Sequence, residues 1–360
     1  MKLFKCQNCG NTIHFNNHVC LACNSRIGYV RKLFDMSALT SDDDGGWRAL
    51  ADPERRYFFC ENATEGACNW LVPADSGETY CLACRFNLTI PDLSVPENHD
   101  RWRRIEQAKK HLFYSLTRWE LPMPRRIDDP EHGLAFEFLA DTLDASGNAE
   151  PVLTGHSDGL IQINIAEADD AERERRRAMM GEPYRTLIGH FRHEVGHFYW
   201  DLLVKDRGGI PAFTELFGDP TQDYNAALQA HYANGPQPDW QLNYISAYAS
   251  SHPWEDFAET WAHCFHMVDG LETASAYGIF PADLPAGAIH QADVDPYDAT
   301  SIDQIILAWV PLTVAINSIN RSLGQPDLYP FVLTNAIVAK IDYVFRLIAE
   351  ARAMEQAEAA

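Results

Sequence analysis

The amino-acid sequence predicts an α+β fold, in which a cysteine-rich region precedes a mostly helical domain with a small sheet. Eight of the nine cysteines lie in the first 84 residues, whereas two segments with alternating apolar residues, typical of strands, lie near the middle of the chain. Longer segments with apolar residues at helical spacing dominate the second half. With 360 residues and 46% hydrophobic content, the chain should form one large domain and a smaller one.

The N-terminal cysteines form two sets of four, and both sets end in the sequence Cys-Leu-Ala-Cys. In the first set, two pairs are separated by ten residues, which is typical of a zinc ribbon whose thiolates close a tetrahedral structural site. In the second set, the first two cysteines are separated by seven residues instead of two. We predict a structural zinc ion in each set, with disulfides or a single exchanged site as alternatives. The sets are Cys6, Cys9, Cys20 and Cys23, and Cys60, Cys68, Cys81 and Cys84.

Two histidines, the ninth cysteine and the charge of the first ribbon give weaker indications of function. His14 and His18 are predicted to be surface residues, and Cys264, the ninth thiol, a buried apolar side chain. Residues 1–32 contain five Lys or Arg and no Asp or Glu, so the first ribbon could contact nucleic acid or a protein partner. The net charge of −22 argues against broad nucleic-acid affinity.

A linker is predicted where prolines and polar residues follow the second cysteine set. Pro91, Pro96 and residues 97–100 place the boundary between a zinc-ribbon region at residues 1–95 and a larger domain at residues 96–360. Residues 101–126 are basic, with aromatic side chains at helix-like intervals. An amphipathic connecting helix explains this pattern better than a nucleic-acid interface.

Two strands are predicted in the middle of the chain. In residues 159–167, Ile161, Ile163 and Ile165 alternate with polar residues, which is the pattern of a half-buried strand. Residues 134–139 are a plausible neighbour in the same sheet.

The segment His193-Glu194-Val195-Gly196-His197 carries the most specific chemical signal. On a helix, residues four apart share a face, so His193 and His197 can bind one metal ion with Glu194 beside them. This is the zinc metallopeptidase pattern, in which two imidazoles and a carboxylate leave a coordination position for water and lower its pKa to about 7. An accidental match on a surface helix is the alternative.

The residues around this motif predict a buried central helix. Residues 186–204 have apolar side chains on most of the circumference and contain no proline. Gly189 and Gly196 lower helix propensity, so they are expected to permit the close approach of a neighbouring backbone.

A second helix is predicted from Ser251 to His263, with Pro253 in its first turn and acidic residues where the helix dipole favours them. Glu255, Glu259 and His263 recur every four residues, so one of them should supply the third metal ligand. We select Glu255, with Glu259 hydrogen bonding a ligand imidazole, although these assignments could be swapped. In the alternative, the acids face water and only complement the dipole.

Tyr248 lies seven residues before Glu255. Its phenol could donate a hydrogen bond to the oxyanion of a tetrahedral intermediate. A core tyrosine with a structural partner is an equal alternative.

The sequence resembles the bacterial zinc-binding metallopeptidases that carry an N-terminal zinc ribbon. The resemblance covers nearly the whole chain and is carried by residues 190–201 (HFRHEVGHFYWD), residues 246–263 (SAYASSHPWEDFAETWAH) and the cysteine sets. More remotely, the chain is similar to the lethal-factor-like gluzincins. That resemblance implies a zincin-like fold with His193, His197 and Glu255 as zinc ligands, Glu194 as base, Tyr248 as oxyanion donor and Glu259 as the partner of a ligand.

A zincin-like fold also implies a strand at the edge of the sheet, where an extended peptide substrate pairs beside the metal. Residues 159–167 are predicted to be this edge strand, although an internal strand would have the same pattern. His156 and Asp158, in the preceding turn, are candidates for lining the cleft or for ordinary solvated turn residues.

The C-terminal half is predicted to be helical. A short helix is expected at residues 224–232, helices at residues 301–323 and 330–351 should pack behind the metal-binding helices, and the Ala/Glu-rich end should be frayed. Residues 305–316 should form part of a core helix, because this apolar stretch is shorter than the ~20 residues that a membrane span needs. No membrane contact is predicted.

The sequence therefore predicts a cytoplasmic zinc metallopeptidase that hydrolyses peptide bonds with one catalytic and two structural zinc ions. The chain opens without a charged-then-apolar leader, and thiolate zinc sites suit a reducing compartment. Its partner would be a peptide or protein substrate. The alternative is a catalytically silent scaffold whose ribbons recruit nucleic acid or a protein. Retention of Glu194, which metal binding does not require, favours catalysis.

Overall fold

The computed structural model describes residues 2–143, 149–150, 152, 154–180, 186–281, 284–289 and 295–359. Its two compact units are residues 1–114, 135–153 and 162–169, and residues 115–134, 154–161 and 170–360. Small sheets dominate the first unit and helices the second, which confirms the predicted α+β class. The domain boundary at residues 95 and 96 stays a prediction.

The cysteine-rich part of the first unit contains a two-stranded sheet and a five-stranded antiparallel sheet in the order β3-β4-β5-β6-β7. Apolar side chains from successive strands form one buried cluster, against which the partly buried rings of Trp47 and Phe59 pack. The strands are β1 (Phe4–Lys5), β2 (Thr12–Ile13), β3 (Ile27–Val30), β4 (Asp35–Ser41), β5 (Trp47–Ala49), β6 (Asp52–Phe59) and β7 (Leu71–Pro73).

A second small sheet in this unit contains both strands predicted for the middle of the chain. Strands β8 (Asn87–Thr89) and β9 (Ala135–Leu139) are parallel, and β13 (Leu160–Asn164) lies on the other side of β9. The carboxylate of Glu137 joins the three strands, because it accepts hydrogen bonds from Thr89 and Gln162, each at 2.8 Å. A separate pair is formed by β10 (Thr142–Leu143) and β11 (Ala149–Glu150).

Strand β13 is shorter than predicted because an asparagine ends it. The side chain of Asn164 accepts a hydrogen bond from the amide of Ala166 and thereby begins a 3₁₀ helix over Ile165–Ala168.

The predicted linker is wrong from Pro96 onwards, because helix α1 (Pro96–Arg118) begins there, whereas residues 91–95 lie in neither a helix nor a strand. Proline is favoured in a first helical turn, and Glu97 lies where the helix dipole favours negative charge. Trp102, Ile105 and Leu112 are fully buried, so the prediction of an amphipathic helix is confirmed.

The second unit is mostly helical. Helices α3 and α6 lie at its centre, and their predicted close approach occurs at Gly196, where an added Cβ would lie 3.0 Å from the Cα of Ala258. The helices are α2 (Asp170–Met180), α3 (Leu187–Trp200), α4 (Ile210–Phe217), α5 (Tyr224–Asn234), α6 (Pro253–Tyr277), α7 (Ile302–Ser322) and α8 (Asn335–Ala359).

The predicted edge strand is also wrong. Strand β12 (Gly155–Ser157) pairs with the first residues of β13 in a hairpin, so β13 has neighbours on both sides and β12 is the edge. Sequence alternation did not reveal this, because a three-residue strand within turn-forming residues has no apolar alternation.

Two predictions for the C-terminal helices are wrong. Helix α8 continues to Ala359 instead of fraying, and α7 is not a core helix, because only 28% of its most apolar 18-residue window is buried. Val310, Val314 and Ile319 of α7 are exposed. In the described part of the chain, α7 is the one helix whose length and composition would allow it to cross a membrane, a test that core helices of soluble proteins also pass.

Candidate metal centre and active site

Helix α3 carries the two histidines, and local sequence fixes its ends. Thr186 caps the N-terminus by accepting a hydrogen bond from the amide of Gly189 at 3.0 Å. The helix then runs buried from residue 191 to residue 200 and continues as a π-helical turn over Asp201–Lys205. The predicted buried central helix is therefore present, and a π turn immediately follows it, as is frequent near functional sites.

Helix α6 carries the candidate carboxylate ligands. His252 caps it through Nδ1, which accepts from the amide of Trp254 at 3.1 Å, and Pro253 occupies the first turn. The helix extends to Tyr277, about four turns beyond the predicted end at His263, and it is followed by Gly278 in the left-handed conformation.

Three potential metal ligands converge between these helices. Glu255 Oε2 lies 2.9 Å from His193 Nε2 and 3.5 Å from His197 Nε2, and one atom of each residue lies within 4.8 Å of the other two. Zinc bonds of about 2.0–2.2 Å in a tetrahedral site separate ligand atoms by about 3.3 Å. Glu255 Oε2 is buried without a hydrogen bond to any residue that the structure describes. The arrangement fits a zinc ion that this oxygen and the two imidazoles would hold.

Glu259, the other candidate ligand, has a different position. Its Oε1 accepts a hydrogen bond from His193 Nδ1 at 2.7 Å, and its Oε2 accepts one from Ser246 at 2.6 Å. Burial opposes ionisation, but the bond from His193 and the nearby charges of His193 and His263 lower the pKa of Glu259 to about 2. A carboxylate in this position fixes the ring of His193 with Nε2 facing Glu255.

Opposite charges dominate the electrostatics of the three convergent side chains. Burial alone would lower the pKa of His193, yet its contacts with Glu255 and Glu259 raise that pKa well above the usual value. Burial alone would raise the pKa of Glu255, but the charge of His197 and the contacts with His193 hold it well below its usual range. A carboxylate that stays ionised while buried is suited to bind a cation.

Tyr224 is a site residue that the sequence analysis missed. Its hydroxyl donates a hydrogen bond of 2.6 Å to Glu255 Oε1, the carboxylate oxygen that faces away from the histidines. Burial and the charge of Glu255 raise the pKa of Tyr224, so the phenol stays protonated. No spacing rule connects Tyr224 to Glu255, since they lie 31 residues apart on different helices.

Tyr248 lies in a 3₁₀ helix, Tyr248–Ser250, directly before α6. Its half-buried ring has its centroid 5.9 Å from that of His193, so the structure brings it to the site. Burial and the charge of Glu255 raise its pKa well above the usual value. A protonated phenol beside the ligands is able to donate a hydrogen bond to a developing negative charge.

Glu194 is placed on the same side of α3 as its histidine neighbours and is 6% exposed. Its Oε1 lies 3.8 Å from Nε2 of His190, one turn earlier, which is beyond hydrogen-bond distance. Its carboxylate is not one of the three groups that converge, but its negative charge is among the causes that raise the pKa of Tyr224 and of Tyr248.

Aromatic rings enclose His197. The centroid of Trp254 lies 3.7 Å from that of His197, and the half-buried ring of His156, in β12, lies at 6.1 Å. His156 thus borders the candidate metal ligands, whereas Asp158 is an exposed turn residue with φ of 46°. Of these two candidates, His156 is the one that lies beside a candidate metal-ligating histidine.

The first cysteine set also converges. The Sγ atoms of Cys6 and Cys23 are 3.6 Å apart, and those of Cys9 and Cys20 are 3.7 Å apart, close to the about 3.8 Å expected around one zinc ion with 2.3 Å bonds. The hydroxyl of Ser25, at 3.2 Å, is the main cause that lowers the pKa of the Cys23 thiol to about 5.

The second cysteine set has the same arrangement in a more buried setting. Its four thiols are buried, and the Sγ atoms of Cys68 and Cys81 are 3.7 Å apart. Cys84 Sγ lies 3.8 Å from Glu106, whose charge is balanced by Lys109 at 2.9 Å with both side chains fully buried. All nine cysteines are free, so disulfide pairing does not occur in this structure.

His14, His18 and Cys264 do not belong to either cysteine cluster. His14 is exposed as predicted, and Cys264 is fully buried, where desolvation raises its pKa to about 12. The prediction for His18 is wrong, because its side chain is half-buried and burial lowers its pKa to about 4.

Comparison with known families identifies the chain. The model of the family described as "Putative zinc-binding metallo-peptidase" matches residues 98–347, and the model of a zinc-ribbon domain matches residues 3–95. The chain belongs to this metallopeptidase family. The predicted family and the N-terminal zinc ribbon are thereby confirmed.

Similar full-length relatives occur in mycobacteria. Uncharacterized proteins of Mycobacterium tuberculosis and Mycobacterium bovis are 39% identical to this chain over 351 residues, which cover 97% of this chain and 96% of each relative. No solved structure matches the chain. Zinc binding is supported by both family descriptions and by the two clusters of four cysteines.

Proposed function

We propose that this chain is a zinc-dependent metallopeptidase of the gluzincin type. The observation that carries the proposal is the convergence of His193 Nε2, His197 Nε2 and Glu255 Oε2 at mutual distances that suit one zinc ion. Three protein ligands leave a coordination position open, as in catalytic zinc sites.

The bound zinc would lower the pKa of a water molecule and polarise the scissile carbonyl. Glu194 would act as the general base: it accepts a proton from the attacking water, holds it on its carboxylate and delivers it to the leaving amine.

Tyr248 would stabilise the negative charge that develops on the carbonyl oxygen. The support is its raised pKa, which keeps the hydroxyl proton available, and its ring position beside His193. Removal of one such donor costs about 2.7–4 kcal/mol of transition-state stabilisation. Glu259 and Tyr224 would orient His193 and Glu255 through the hydrogen bonds that they make to these ligands.

The substrate would be an extended peptide or protein segment. We propose that it pairs with β12, the edge strand, because His156 in this strand borders His197 and an edge presents unpaired backbone groups. The two cysteine sets would each hold a structural zinc ion, for a total of three per chain. Thiolate zinc sites suit a reducing compartment, which supports a cytoplasmic location.

A peptide library tests the proposed reaction directly. The zinc-loaded chain is incubated with the library, and new peptide termini are identified by mass spectrometry. We expect cleavage by the natural chain and none by Glu194→Gln, because glutamine cannot accept the proton. Glu215→Gln, at an exposed position of α4, is the matched control and should cleave normally.

Equal cleavage by Glu194→Gln would contradict the mechanism. Absence of cleavage by the natural chain with three zinc ions bound would favour the silent scaffold instead. The sequence favours catalysis over that alternative, since Glu194 is present in the motif although metal binding does not need it.

A further inference from the structure

The two histidines of the proposed catalytic zinc site are held in different ways. His193 Nδ1 donates a hydrogen bond to Glu259 at 2.7 Å, which is the usual arrangement for a histidine that binds zinc through its other nitrogen. The corresponding atom of His197, Nδ1, is buried and has no hydrogen-bond partner among the residues that the structure describes. The orientation of the His197 ring therefore depends on other contacts.

Trp254 makes a close ring contact with His197. The two ring centroids are 3.7 Å apart with 37° between the ring planes, so the face of the indole covers the imidazole. The ring of His193, by comparison, meets that of His197 edge to face at 4.9 Å. Trp254 directly precedes Glu255 in the first turn of α6. This turn thus carries one candidate ligand and the ring that packs on another.

The indole of Trp254 is itself fixed by its surroundings. Tyr224 and Trp200 make edge-to-face contacts with it, at centroid distances of 5.5 and 6.4 Å. The backbone amide of Trp254 donates a hydrogen bond to His252 Nδ1 at 3.1 Å, which fixes the start of α6. A ring that is held by several neighbours is suited to keep His197 in one orientation.

A contact with an indole face should favour the zinc-bound form of an imidazole. An imidazole that donates its lone pair to Zn²⁺ becomes positively polarised, because the metal withdraws electron density from the ring. The face of an indole is the negative part of its quadrupole and attracts positive charge within about 6 Å of the ring centroid. An aliphatic side chain of similar size would fill the same space without this attraction.

We propose that Trp254 is a positioning residue for His197, and that its ring face stabilises the zinc-bound imidazole in place of a hydrogen-bond acceptor such as the one that His193 has in Glu259. The inference rests on the proposed catalytic zinc ion, but it does not require peptide hydrolysis. Core packing is the alternative role for Trp254. It predicts that zinc affinity depends on the shape of the side chain and not on the charge distribution of its ring.

Fluorinated tryptophans at position 254 separate these two explanations. Successive fluorine atoms withdraw electron density from the ring face and change its shape very little. Tryptophans with one, two and four fluorine atoms on the indole are introduced at this position alone in the full-length chain, and chelator competition measures the affinity for the third zinc ion. We expect a stepwise loss that reaches about tenfold with four fluorine atoms. The melting temperature of the chain with the two structural zinc ions alone should not change.

Trp261, two turns further along α6, is the matched control. Its side chain is fully buried and stacks on Tyr199 at 4.7 Å, and it is not one of the three convergent ligands. The same fluorinated residues at position 261 should leave the affinity for the third zinc ion unchanged.

Two ordinary variants give a second measurement. Trp254→Phe keeps an aromatic face and Trp254→Leu removes it, so the affinity for the third zinc ion should decrease from the natural chain to Trp254→Phe and again to Trp254→Leu. Equal affinity in all chains fluorinated at position 254, an equal loss at position 261, or equal affinity in the two ordinary variants would overturn the proposal. A natural chain that binds only two zinc ions would overturn it together with the proposed catalytic site.

Discussion

The cysteine sets and the proposed active site are two solutions to metal binding in one chain. Each cysteine set brings four thiols together, which is enough to close a tetrahedral site. The site on α3 and α6 brings three candidate ligands together, and the ring of Tyr248 lies beside His193. The difference teaches that ligand number separates a site that stabilises a fold from a site that can accept water and substrate.

The two kinds of site also differ in how the chain assembles them. In each cysteine set, the last pair of ligands is separated by two residues, so a single turn positions both. His197 and Glu255 are 58 residues apart, since 255 − 197 = 58, and they meet only because α3 packs closely against α6 at Gly196. The proposed active site should therefore be more sensitive than the cysteine sets to changes in helix packing.

Removal of the carboxylate ligand should have the largest effect. We expect Glu255→Ala to lower the zinc content from three ions to two and to abolish hydrolysis, because two imidazoles alone hold zinc weakly. Metal content is measured by mass spectrometry of the purified chain. Glu215→Ala is the control. Three tightly bound zinc ions in Glu255→Ala would show that another residue completes the site.

Loss of one ribbon thiolate should destabilise the ribbon and leave the catalytic zinc in place. We expect Cys81→Ser to lower the melting temperature of the first unit by about 10 °C or more, since each kcal/mol shifts a small domain by about 4–8 °C. Scanning calorimetry measures the shift. Cys264→Ala, which changes a thiol outside both clusters, should keep all three zinc ions. An unchanged transition in Cys81→Ser would refute a structural role for its zinc.

Loss of the hydrogen bond from Tyr224 to Glu255 Oε1 should have an intermediate effect on zinc affinity. We expect Tyr224→Phe to weaken catalytic zinc affinity about 10–100-fold, as is typical when a partner of a metal ligand is removed. Competition with a chelator measures the affinity, and kcat at saturating zinc should change less. Tyr232→Phe, at an exposed position of the same helix, is the control. Equal affinity in both variants would exclude a positioning role for Tyr224.

Loss of the hydrogen bond from Ser246 to Glu259 should have the smallest effect on zinc affinity. We expect Ser246→Ala to reduce catalytic zinc affinity about fivefold, because a hydrogen bond to a charged group contributes about 1.5–3 kcal/mol and only part of this acts through Glu259 on His193. The same chelator competition detects it. Ser251→Ala is a matched control, since Ser251 Oγ makes no hydrogen bond to any residue that the structure describes. A larger loss in the control than in Ser246→Ala would contradict this chain of contacts.

Sequence patterns predicted the helices at the site well because local signals define them. Thr186 caps α3, Pro253 starts α6, and both helices begin within two residues of the expected positions. The same patterns predicted helix α7 and strand β13 but not the burial of α7 or the position of β13 in its sheet. An apolar stretch does not show how much of the helix surface is covered by neighbouring elements. Alternation along a strand does not show whether a short preceding strand pairs with it and becomes the edge of the sheet.

The sequence by itself determined the ligands that share one element: the closely spaced thiol pairs and the two histidines of α3. Turn and helix geometry fix these distances locally, whatever the rest of the chain does. Only the tertiary structure decided that Glu255 faces both imidazoles while Glu259 faces one of them from the other side, and that Tyr224 reaches Glu255. These contacts depend on the rotation and spacing of packed helices, which no spacing along the chain encodes.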